Sequence, residues 1–423
     1  MLKEILFISY HFPPFSKILS IRAAEVAKRL VNSGYKIFVV SAKSNKNAFK
    51  DINLLREVKS PLIKNRSVFN LSFAIKSVNS NIRKKSFYFE LLNLILFLHW
   101  IPLAFLACKR QIRKNDIRLI FVSAPPFFTL LLGYFLKRIF KIPLIIEYRD
   151  PWSYNPYLKG TMSSSVENFY LYIEKKIIKT ADGIFAISNG MKTFLRTNFS
   201  KEIKNTEIHV IPHGINIEDL RAIPQKKDFS EEITFTFTGN LYGRRDLEPL
   251  IKIVSKSQER GFLEEISLKI HIFGKYDDKK LKYLIEKYNV SNNFYLNGFV
   301  PRSICLEQII NSSLALHVGE NLNYPTLSFK LWEYLSMGKK ILYLGRDDSY
   351  TAVFLEKNNL GYTIPINDFK LGLKRFEEII SGLKENRIEP NIYPEQLHKY
   401  TWDNRVKEIE KIFAIFTKED HLR

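Results

Sequence analysis

Cysteine is scarce in this chain of 423 residues, which contains only Cys108 and Cys305, one in each half. A disulfide framework needs more cysteines, and a cysteine zinc site needs them in closely spaced pairs. The sequence also lacks the basic segment, apolar core and small-residue cleavage site of a signal peptide, because MLKE runs directly into ILFISY. These absences predict a cytoplasmic protein.

Several nucleotide and metal motifs are missing as well. The sequence has no G-x-x-x-x-G-K-[ST] phosphate loop and no G-x-G-x-x-G fingerprint, which argues against P-loop ATP hydrolysis and NAD-dependent chemistry. It contains no D-x-D, H-E-x-x-H or G-x-S-x-G motif, and its eight histidines are scattered. The sequence therefore predicts neither a metal site nor a hydrolase triad.

Acidic residues are few in the first half. Residues 1–200 contain 32 Lys and Arg against 11 Asp and Glu, whereas residues 201–423 contain 33 against 32. Nearly all of the formal net charge of +22 therefore belongs to the first half. This asymmetry suggests an anionic partner such as a membrane surface, lipid phosphate or nucleic acid. A lysine-rich composition without a selected partner is the alternative, but it does not account for the imbalance between the halves.

The residues that are abundant indicate a large globular chain. Hydrophobic residues make up 46% of the sequence and aromatic residues 14%, and the length predicts two or three domains. Short apolar runs alternate with helical patterns, first as strands over 5–9, 36–41, 119–123, 143–148, 183–188 and 209–212. After a polar linker the alternation resumes, with strands over 233–239, 268–274, 294–299, 314–319 and 340–345. This order predicts two doubly wound α/β domains.

One apolar stretch, residues 87–108, approaches the roughly 20 residues of a membrane-spanning helix. Glu90, Asn93, His99 and Pro102 interrupt it, so we expect a buried or partly membrane-docked helix pair instead. The basic tail that follows, residues 109–114, would suit anionic lipid headgroups or form a solvated helix end.

Ligands of open parallel sheets bind at the carboxyl ends of the strands, which directs attention to the loops there. In the first half, the loop that begins at His11 leads to Arg22, which could meet a phosphate near a helix N-terminus or be a surface arginine. After a later strand come Arg149, Asp150 and Trp152. This combination suits sugar recognition, with Asp150 as a hydroxyl acceptor or acid/base, unless Arg149 and Asp150 pair to brace the loop.

Two loops of the second half suit a diphosphate. Residues 239–246 contain two glycines, which let the backbone approach a ligand, and Arg244 and Arg245, which can hold phosphate oxygens bidentately. A helix predicted to begin near Thr326 offers its amide groups, with Lys330 one turn inward. Glu333 lies on the same face and can accept ribose hydroxyls, or it pairs with Lys330 as a surface ion pair.

Taken together, the motifs resemble one enzyme family. They are, in chain order, ISYHFPP, EYRDPW, ADGIFAISNGM, VIPHGIN, FTGNLYGRRD, IFG, LNGFVP, FKLWEYLSMGKKIL and YTW. Their order is similar to that of the retaining GT-B glycosyltransferases of family 4, particularly bacterial members that build surface polysaccharides. The resemblance implies an α/β GT-B fold of two Rossmann-like doubly wound domains facing a cleft. The implied parts are an acceptor-binding domain (1–215), a linker (216–232), a nucleotide-sugar-binding domain (233–395) and a helix crossing back to the first domain (396–423).

The resemblance also implies roles for individual residues. Arg244 or Arg245, with Lys330, would contact the donor diphosphate, and Glu333 matches the final glutamate of the E-x7-E motif, on the ribose. The donor-side positions nearer the base would be Gly274, Gly298, Phe299 and Val300. The acceptor-side positions would be His11, Arg22, Arg149 and Trp152, with Asp150 the candidate catalytic residue. No metal and no other cofactor is implied.

The first loop has residues 15–17 where the family often has glycines, and two donor-side positions also depart from the family pattern. Pro325 occupies the place of the first glutamate of E-x7-E, which contacts the donor sugar, and Asn240 stands where a basic residue commonly follows the donor-loop glycine. These departures leave the donor sugar open.

The function that the resemblance implies is transfer of a hexose or N-acetylhexosamine from a nucleotide-diphosphate sugar to a lipid-linked or glycan acceptor. We expect this retaining, metal-independent reaction at the inner face of the plasma membrane, in cell-surface polysaccharide biosynthesis and without a nucleic-acid partner. The alternatives are a non-hydrolysing nucleotide-sugar epimerase, a basic nucleic-acid- or membrane-binding protein without catalysis, and an inactive homologue.

Overall fold

The computed structural model describes residues 2–15, 18–44, 50–69, 98–156, 162–204, 206–216, 232–241, 245–320 and 324–417. Contacts divide the chain into two compact units, one formed by residues 1–213 and 402–423 and the other by residues 214–401.

The first unit is built on a parallel sheet in the order β3-β2-β1-β4-β5-β6-β7. Its central strands are buried on both faces, as their continuous apolar sequences require. The strands are β1 (Lys3–Ser9), β2 (Tyr35–Ala42), β3 (Ile63–Val68), β4 (Ile117–Ala124), β5 (Leu144–Tyr148), β6 (Gly183–Ala186) and β7 (Glu207–Val210). Successive strands are added on one side of β1 up to β3 and on its other side from β4 onward, and parallel sheets bind ligands at this change of side.

Helices cover both faces of this sheet. They are α1 (Ile18–Asn32), α2 (Ile52–Glu57), α3 (Trp100–Lys114), α4 (Phe128–Phe140), α5 (Ser164–Thr180), α6 (Asn189–Asn198) and α7 (Ser200–Ile203). Each of α3, α4 and α5 leads into the next parallel strand, so the three helices point in the same direction.

The second unit contains a parallel sheet in the order β10-β9-β8-β11-β12-β13. Its strands are β8 (Glu232–Thr238), β9 (Ser267–Phe273), β10 (Phe294–Gly298), β11 (Leu314–Val318), β12 (Ile341–Gly345) and β13 (Gly361–Pro365). Its helices are α8 (Glu248–Glu259), α9 (Asp278–Lys287), α10 (Arg302–Asn311), α11 (Phe329–Ser336), α12 (Tyr350–Lys357), α13 (Phe369–Lys384) and α14 (Pro394–Leu397), followed by a 3-10 turn (His398–Tyr400). The order reverses between β8 and β11, which places the ligand edge beside these two strands.

The last helix, α15 (Trp402–Phe416), belongs to the first unit. Phe413 contacts Phe121 of β4 with ring centroids 5.4 Å apart and stacks on Phe185 of β6 at 5.9 Å. The C-terminal helix therefore completes the apolar layer on one face of the first sheet.

Two details differ from the sequence predictions. The helix expected near Thr326 begins at Phe329, so Lys330 lies in its first turn. The edge strands β3 and β13 were not predicted. The basic tail 109–114 is the last part of α3, in agreement with the alternative of a helix end. Most of the apolar stretch before residue 98 and most of the linker, residues 217–231, lie outside the described residues.

Candidate functional site

The carboxyl ends of three neighbouring strands of the second unit come together in a cluster of glycines. Gly239 follows β8 and Gly274 follows β9, with φ values of +139° and +121°, and Gly298 ends β10. The Gly239 amide donates to Phe273 O (2.8 Å), and the Gly274 amide donates to Gly298 O (2.7 Å). A Cβ on Gly274 would lie 1.8 Å from Gly239 O, so only glycine fits this backbone. The result is a strand edge that a ligand can approach closely.

Lys330 lies over this glycine cluster. A Cβ added to Gly239 would be 2.6 Å from Lys330 Cε and 3.1 Å from Nζ, which places the ammonium group at the end of β8. Because Lys330 is in the first turn of α11, its charge adds to the positive end of the helix dipole. Both features favour an anion at this edge.

Arg245 brings a second cation to the site. Its Nε is 3.2 Å from Glu320 Oε1, and both side chains are mostly shielded from solvent. Arg245 and Lys330 also act on His317 at the end of β11, where burial first and these two cations second lower the pKa of the imidazole to about 3. His317 is thus neutral at physiological pH, and its Nε2 lies 3.2 Å from Ser328 Oγ, the N-cap of α11.

Tyr334 fixes α11 against the end of β8. Its hydroxyl accepts from the Thr238 amide at 3.1 Å and lies 3.2 Å from Thr238 O, to which it donates. Burial raises the pKa of Tyr334 to about 12, so the hydroxyl keeps its proton. Glu333 precedes it on the half-buried side of the helix. His317 and Tyr334 were not among the predicted residues, because in the sequence they are indistinguishable from core residues of a strand and a helix.

The predicted base-side segment lies beside the glycine cluster. Phe299, directly after β10, is 79% exposed, whereas large apolar side chains are usually buried. The Gly298 amide donates to Tyr276 Oη at 2.8 Å, which holds the end of the strand. An exposed ring at a strand end offers a stacking surface for a planar group. Val300 follows it and is half-buried.

The structure places four of the eight predicted donor residues at this edge: Gly274, Gly298, Arg245 and Lys330. Arg244 and its neighbours 242 and 243 lie outside the described residues. Pro325 is buried just before α11. Two cations, a helix N-terminus and a glycine backbone that a ligand can approach closely make this edge suited to a diphosphate.

Arg22 of the first unit is buried, which corrects its interpretation as a surface arginine. Its Nε and Nη2 donate to Glu147 Oε1 at 3.0 and 2.6 Å. Its Nη2 and Nη1 donate to the carbonyl oxygens of Ile211 and Pro212, both at 2.8 Å. With its donors engaged this way, Arg22 joins α1 to β5 and to the segment after β7, and it is not positioned to receive a phosphate.

Glu147, which was not predicted, is the centre of this buried network. It accepts from Arg22 and from Ser123 Oγ, and Arg149 Nε lies 3.9 Å from its Oε2. Burial alone would raise the pKa of Glu147, but Arg22, Arg149 and Ser123 outweigh burial and lower it below its ordinary value. The carboxylate therefore stays ionised and balances two buried cations.

Arg149 braces the strand edge from the interior. It donates to the carbonyl oxygens of Ala124 (3.0 Å), Pro125 (3.1 Å) and Leu19 (3.3 Å), and burial lowers its pKa to about 10. Both Glu147, 3.9 Å away, and Asp150 attract the Arg149 charge, so the expected Arg149–Asp150 interaction is part of a larger network.

Other predicted acceptor-side residues are buried as well. His11 contacts the ring of Phe15 edge-on at 5.4 Å, and Trp152 stacks on Phe127 at 5.3 Å. Asp150 is half-buried at the end of β5. His11 and Trp152 are therefore packed in the interior next to the strand ends. Asp150 is more accessible to solvent than the buried carboxylate of Glu147.

Glu174 of α5 is a second buried acid beneath this loop. Its Oε2 accepts from the Ser153 amide at 2.9 Å, and it lies next to Tyr148. Burial raises its pKa to about 7.

In the described part of the chain no group of three or more His, Cys, Asp or Glu side chains could hold a metal ion. None of the described helices is both long and apolar enough to cross a membrane.

Comparison with known proteins agrees with this geometry. Residues 19–219 match Glycosyltransferase Family 4. The uncharacterized glycosyltransferase MJ1069 of Methanocaldococcus jannaschii is 27% identical over 318 residues, covering 71% of this chain and 76% of that protein.

Solved glycosyltransferase structures share the fold. Sucrose-phosphate synthase of Thermosynechococcus elongatus superimposes with a TM-score of 0.66 at 15% identity, covering 98% of each chain. Anabaena HepE in complex with UDP gives 0.63 at 13% identity, covering 98% of this chain and all of HepE, and HepE has also been solved with UDP-glucose. The predicted fold class of two Rossmann-like parallel sheets is confirmed. The comparisons support a glycosyltransferase and favour neither the epimerase nor a non-catalytic basic protein.

Proposed function

We propose that the protein transfers a hexose or N-acetylhexosamine from a nucleotide-diphosphate sugar, and that the second unit binds this donor. The observation that carries the proposal is the approach of Lys330 to Gly239 at the end of β8, with Arg245 on the same edge. The diphosphate would lie against the α11 N-terminus, the base on Phe299 and the ribose on Glu333. The HepE complexes support a uridine donor as the first to test.

The proposed chemistry retains the anomeric configuration and needs no metal ion. Arg245 and Lys330 would neutralise the charge that develops on the leaving diphosphate, which is the task a divalent cation performs in other transferases. His317 would remain neutral beside them and keep Ser328 and the helix terminus in place. Asp150 is the proposed acid/base on the acceptor side.

The proposed acceptor is lipid-linked or a glycan, in cell-surface polysaccharide biosynthesis, and the protein would work peripherally at the cytoplasmic membrane. The excess of positive charge in residues 1–200 supports this proposal, because acceptors of this class are presented at an anionic surface.

The donor-site proposal is tested by calorimetric titration with UDP and UMP, with and without EDTA. We expect EDTA-insensitive binding that is stronger for UDP. Arg245→Gln and Lys330→Gln should each weaken UDP binding about 10- to 100-fold, the range expected for one charge-assisted hydrogen bond, and weaken UMP binding less.

The matched control is Lys370→Gln, an exposed cation on α13 of the same unit. UDP affinity in this variant should equal that of the wild type. If both site variants bind UDP as the wild type does, the assignment of this edge to the diphosphate is wrong.

A further inference from the structure

The first unit concentrates exposed apolar side chains on one face. Among its described residues, twelve large apolar side chains are exposed, and six of them lie on the adjacent helices α3, α4 and α5. They are Leu103, Leu106, Phe135, Ile139, Phe169 and Tyr172. We refer to the outer surface of α3, α4 and α5 as the three-helix face. Exposed apolar groups gathered in this way mark an interaction surface more often than isolated ones do.

Helices α3 and α5 carry the same pattern on this face. On α3, four of the exposed residues are Leu103, Leu106, Arg110 and Arg113, at spacings of i, i+3, i+7 and i+10. These positions lie on one side of a helix, so two apolar side chains are followed by two cations along one stripe.

On α5 the stripe is Phe169, Tyr172, Lys176 and Lys179, with the same spacing and the same order. The ammonium group of Lys176 lies 5.3 Å from the centre of the Tyr172 ring, so its aliphatic stem runs along an apolar surface. Between these helices, α4 exposes Phe135 and Ile139 beside Arg138.

The stripes are aligned because the three helices point in the same direction on one face of the sheet. The exposed cations of α3 and α5 therefore lie toward the same end of the face, with the apolar residues of those helices beside them. Exposed apolar side chains next to exposed cations match the boundary of a bilayer, where acyl chains meet the headgroups.

The charge of the face is strongly one-sided. The three helices contain nine basic and two acidic residues, and one of the acids, Glu174, is buried. Two of the basic residues are paired, Lys137 with Asp182 and Lys175 with Glu202. Among the described residues, Arg110, Arg113, Lys176 and Lys179 form no ion pair.

The opposite face of the sheet differs in this respect. On α1, Arg29 pairs with Glu25 and Asp403, and Lys28 pairs with Glu57. The unbalanced positive charge is therefore a property of the three-helix face, and it complements an anionic partner.

From this geometry we propose that the three-helix face is the surface on which the protein docks to an anionic lipid bilayer. The apolar stripes would enter the headgroup boundary while the cations contact lipid phosphates. The purpose of docking rests on the lipid-linked acceptor proposed above, but the face itself is separate from the donor site.

The test is sedimentation with vesicles of phosphatidylcholine alone or with about 30% phosphatidylglycerol, the anionic content at which basic residues contribute measurably. The wild type should bind the anionic vesicles and bind the neutral ones weakly. A quadruple variant, Arg110→Gln, Arg113→Gln, Lys176→Gln and Lys179→Gln, should lose about a hundredfold or more of its partition coefficient. A second variant, Leu106→Ser with Tyr172→Ser, should also bind less, because apolar insertion is removed.

The charge-matched control replaces four exposed lysines elsewhere: Lys357, Lys370, Lys407 and Lys411, each by Gln. This control should bind anionic vesicles as the wild type does if position matters and total charge does not. Equal losses in the control and the quadruple variant would overturn the proposal, as would equal wild-type binding to neutral and anionic vesicles.

Two further measurements separate the other outcomes. Calorimetry with UDP shows whether each variant keeps its donor site, so a failure of docking is distinguishable from a failure of the proposed function. Light scattering detects a dimer that dissociates in the Leu106→Ser, Tyr172→Ser variant; this result would mean that a second copy covers the face and would also overturn the proposal.

Discussion

Glu174 provides a prediction whose magnitude follows directly from the structure. Its carboxyl group is buried under the loop that carries Asp150 and Trp152, and burial raises its pKa from 4.5 to about 7. Glu174→Gln keeps the shape of the side chain and an oxygen that can accept from the Ser153 amide. The substitution therefore replaces an ionisable carboxyl group by a neutral amide of the same shape.

The sign of the effect follows from proton binding. Between about pH 4.5 and pH 7 the folded wild type holds a proton on Glu174 that the unfolded chain has released, so its stability falls as pH rises through this range. The Glu174→Gln variant has no ionisable group at this position, so its stability does not fall in this way. From about pH 5 to pH 8, Glu174→Gln should therefore gain about 2 to 3 kcal/mol of unfolding free energy relative to the wild type.

The assay is urea unfolding at several pH values, followed by tryptophan fluorescence. Three of the four tryptophans, Trp100, Trp152 and Trp402, belong to the first unit, so the signal reports mainly on the unit that contains Glu174. Glu167→Gln, which replaces a half-buried glutamate of the same helix, is the matched control for the substitution itself. A stability difference between wild type and Glu174→Gln that stays constant with pH would refute the reasoning.

Three further predictions concern the strand edges. Gly274→Ala should abolish UDP binding in calorimetry or prevent folding of the second unit, because its Cβ would lie 1.8 Å from a carbonyl oxygen. The Cβ of Gly298→Ala would meet no atom within 4 Å, so this variant should lose only the stability that the strain of a positive φ costs. Glu147→Gln should destabilise the first unit by about 3 to 5 kcal/mol in urea unfolding, since it leaves Arg22 buried without its counter-ion; an unchanged midpoint would contradict this role. His317→Gln should leave the pH profile of UDP binding between about pH 5 and pH 8 unchanged, because the pKa of His317, about 3, lies below this range.

The alternating strands and helices could be predicted because each central strand is a continuous apolar run. Ile5–Ser9, for example, was predicted as a strand and forms most of β1. Strand β3, Ile63–Val68, escaped prediction because four of its six residues are exposed at the sheet edge and give no apolar run. The helix start near Thr326 was placed too early, since Ser328 rather than Thr326 is the N-cap.

The candidate site was predictable where a loop follows a strand. Arg245 and Lys330 come from different elements, but both lie at the ligand edge of one sheet, and the edge rule is enough to bring them together. The buried network of the first unit was not predictable, because Arg22 and Glu147 are 125 residues apart and only the fold shows that they pair. Burial also reverses the expected role of Arg22, from ligand contact to internal support.

The most direct test of the central claim is to follow a nucleotide sugar by NMR while the protein acts on it. UDP-glucose and UDP-N-acetylglucosamine would be offered with a membrane glycolipid extract, with EDTA present. The account predicts release of UDP and a glycosylated lipid whose new linkage keeps the anomeric configuration of the donor, and loss of both with Arg245→Gln combined with Lys330→Gln. An epimerised free sugar nucleotide without transfer, or transfer that the double variant retains, would contradict it.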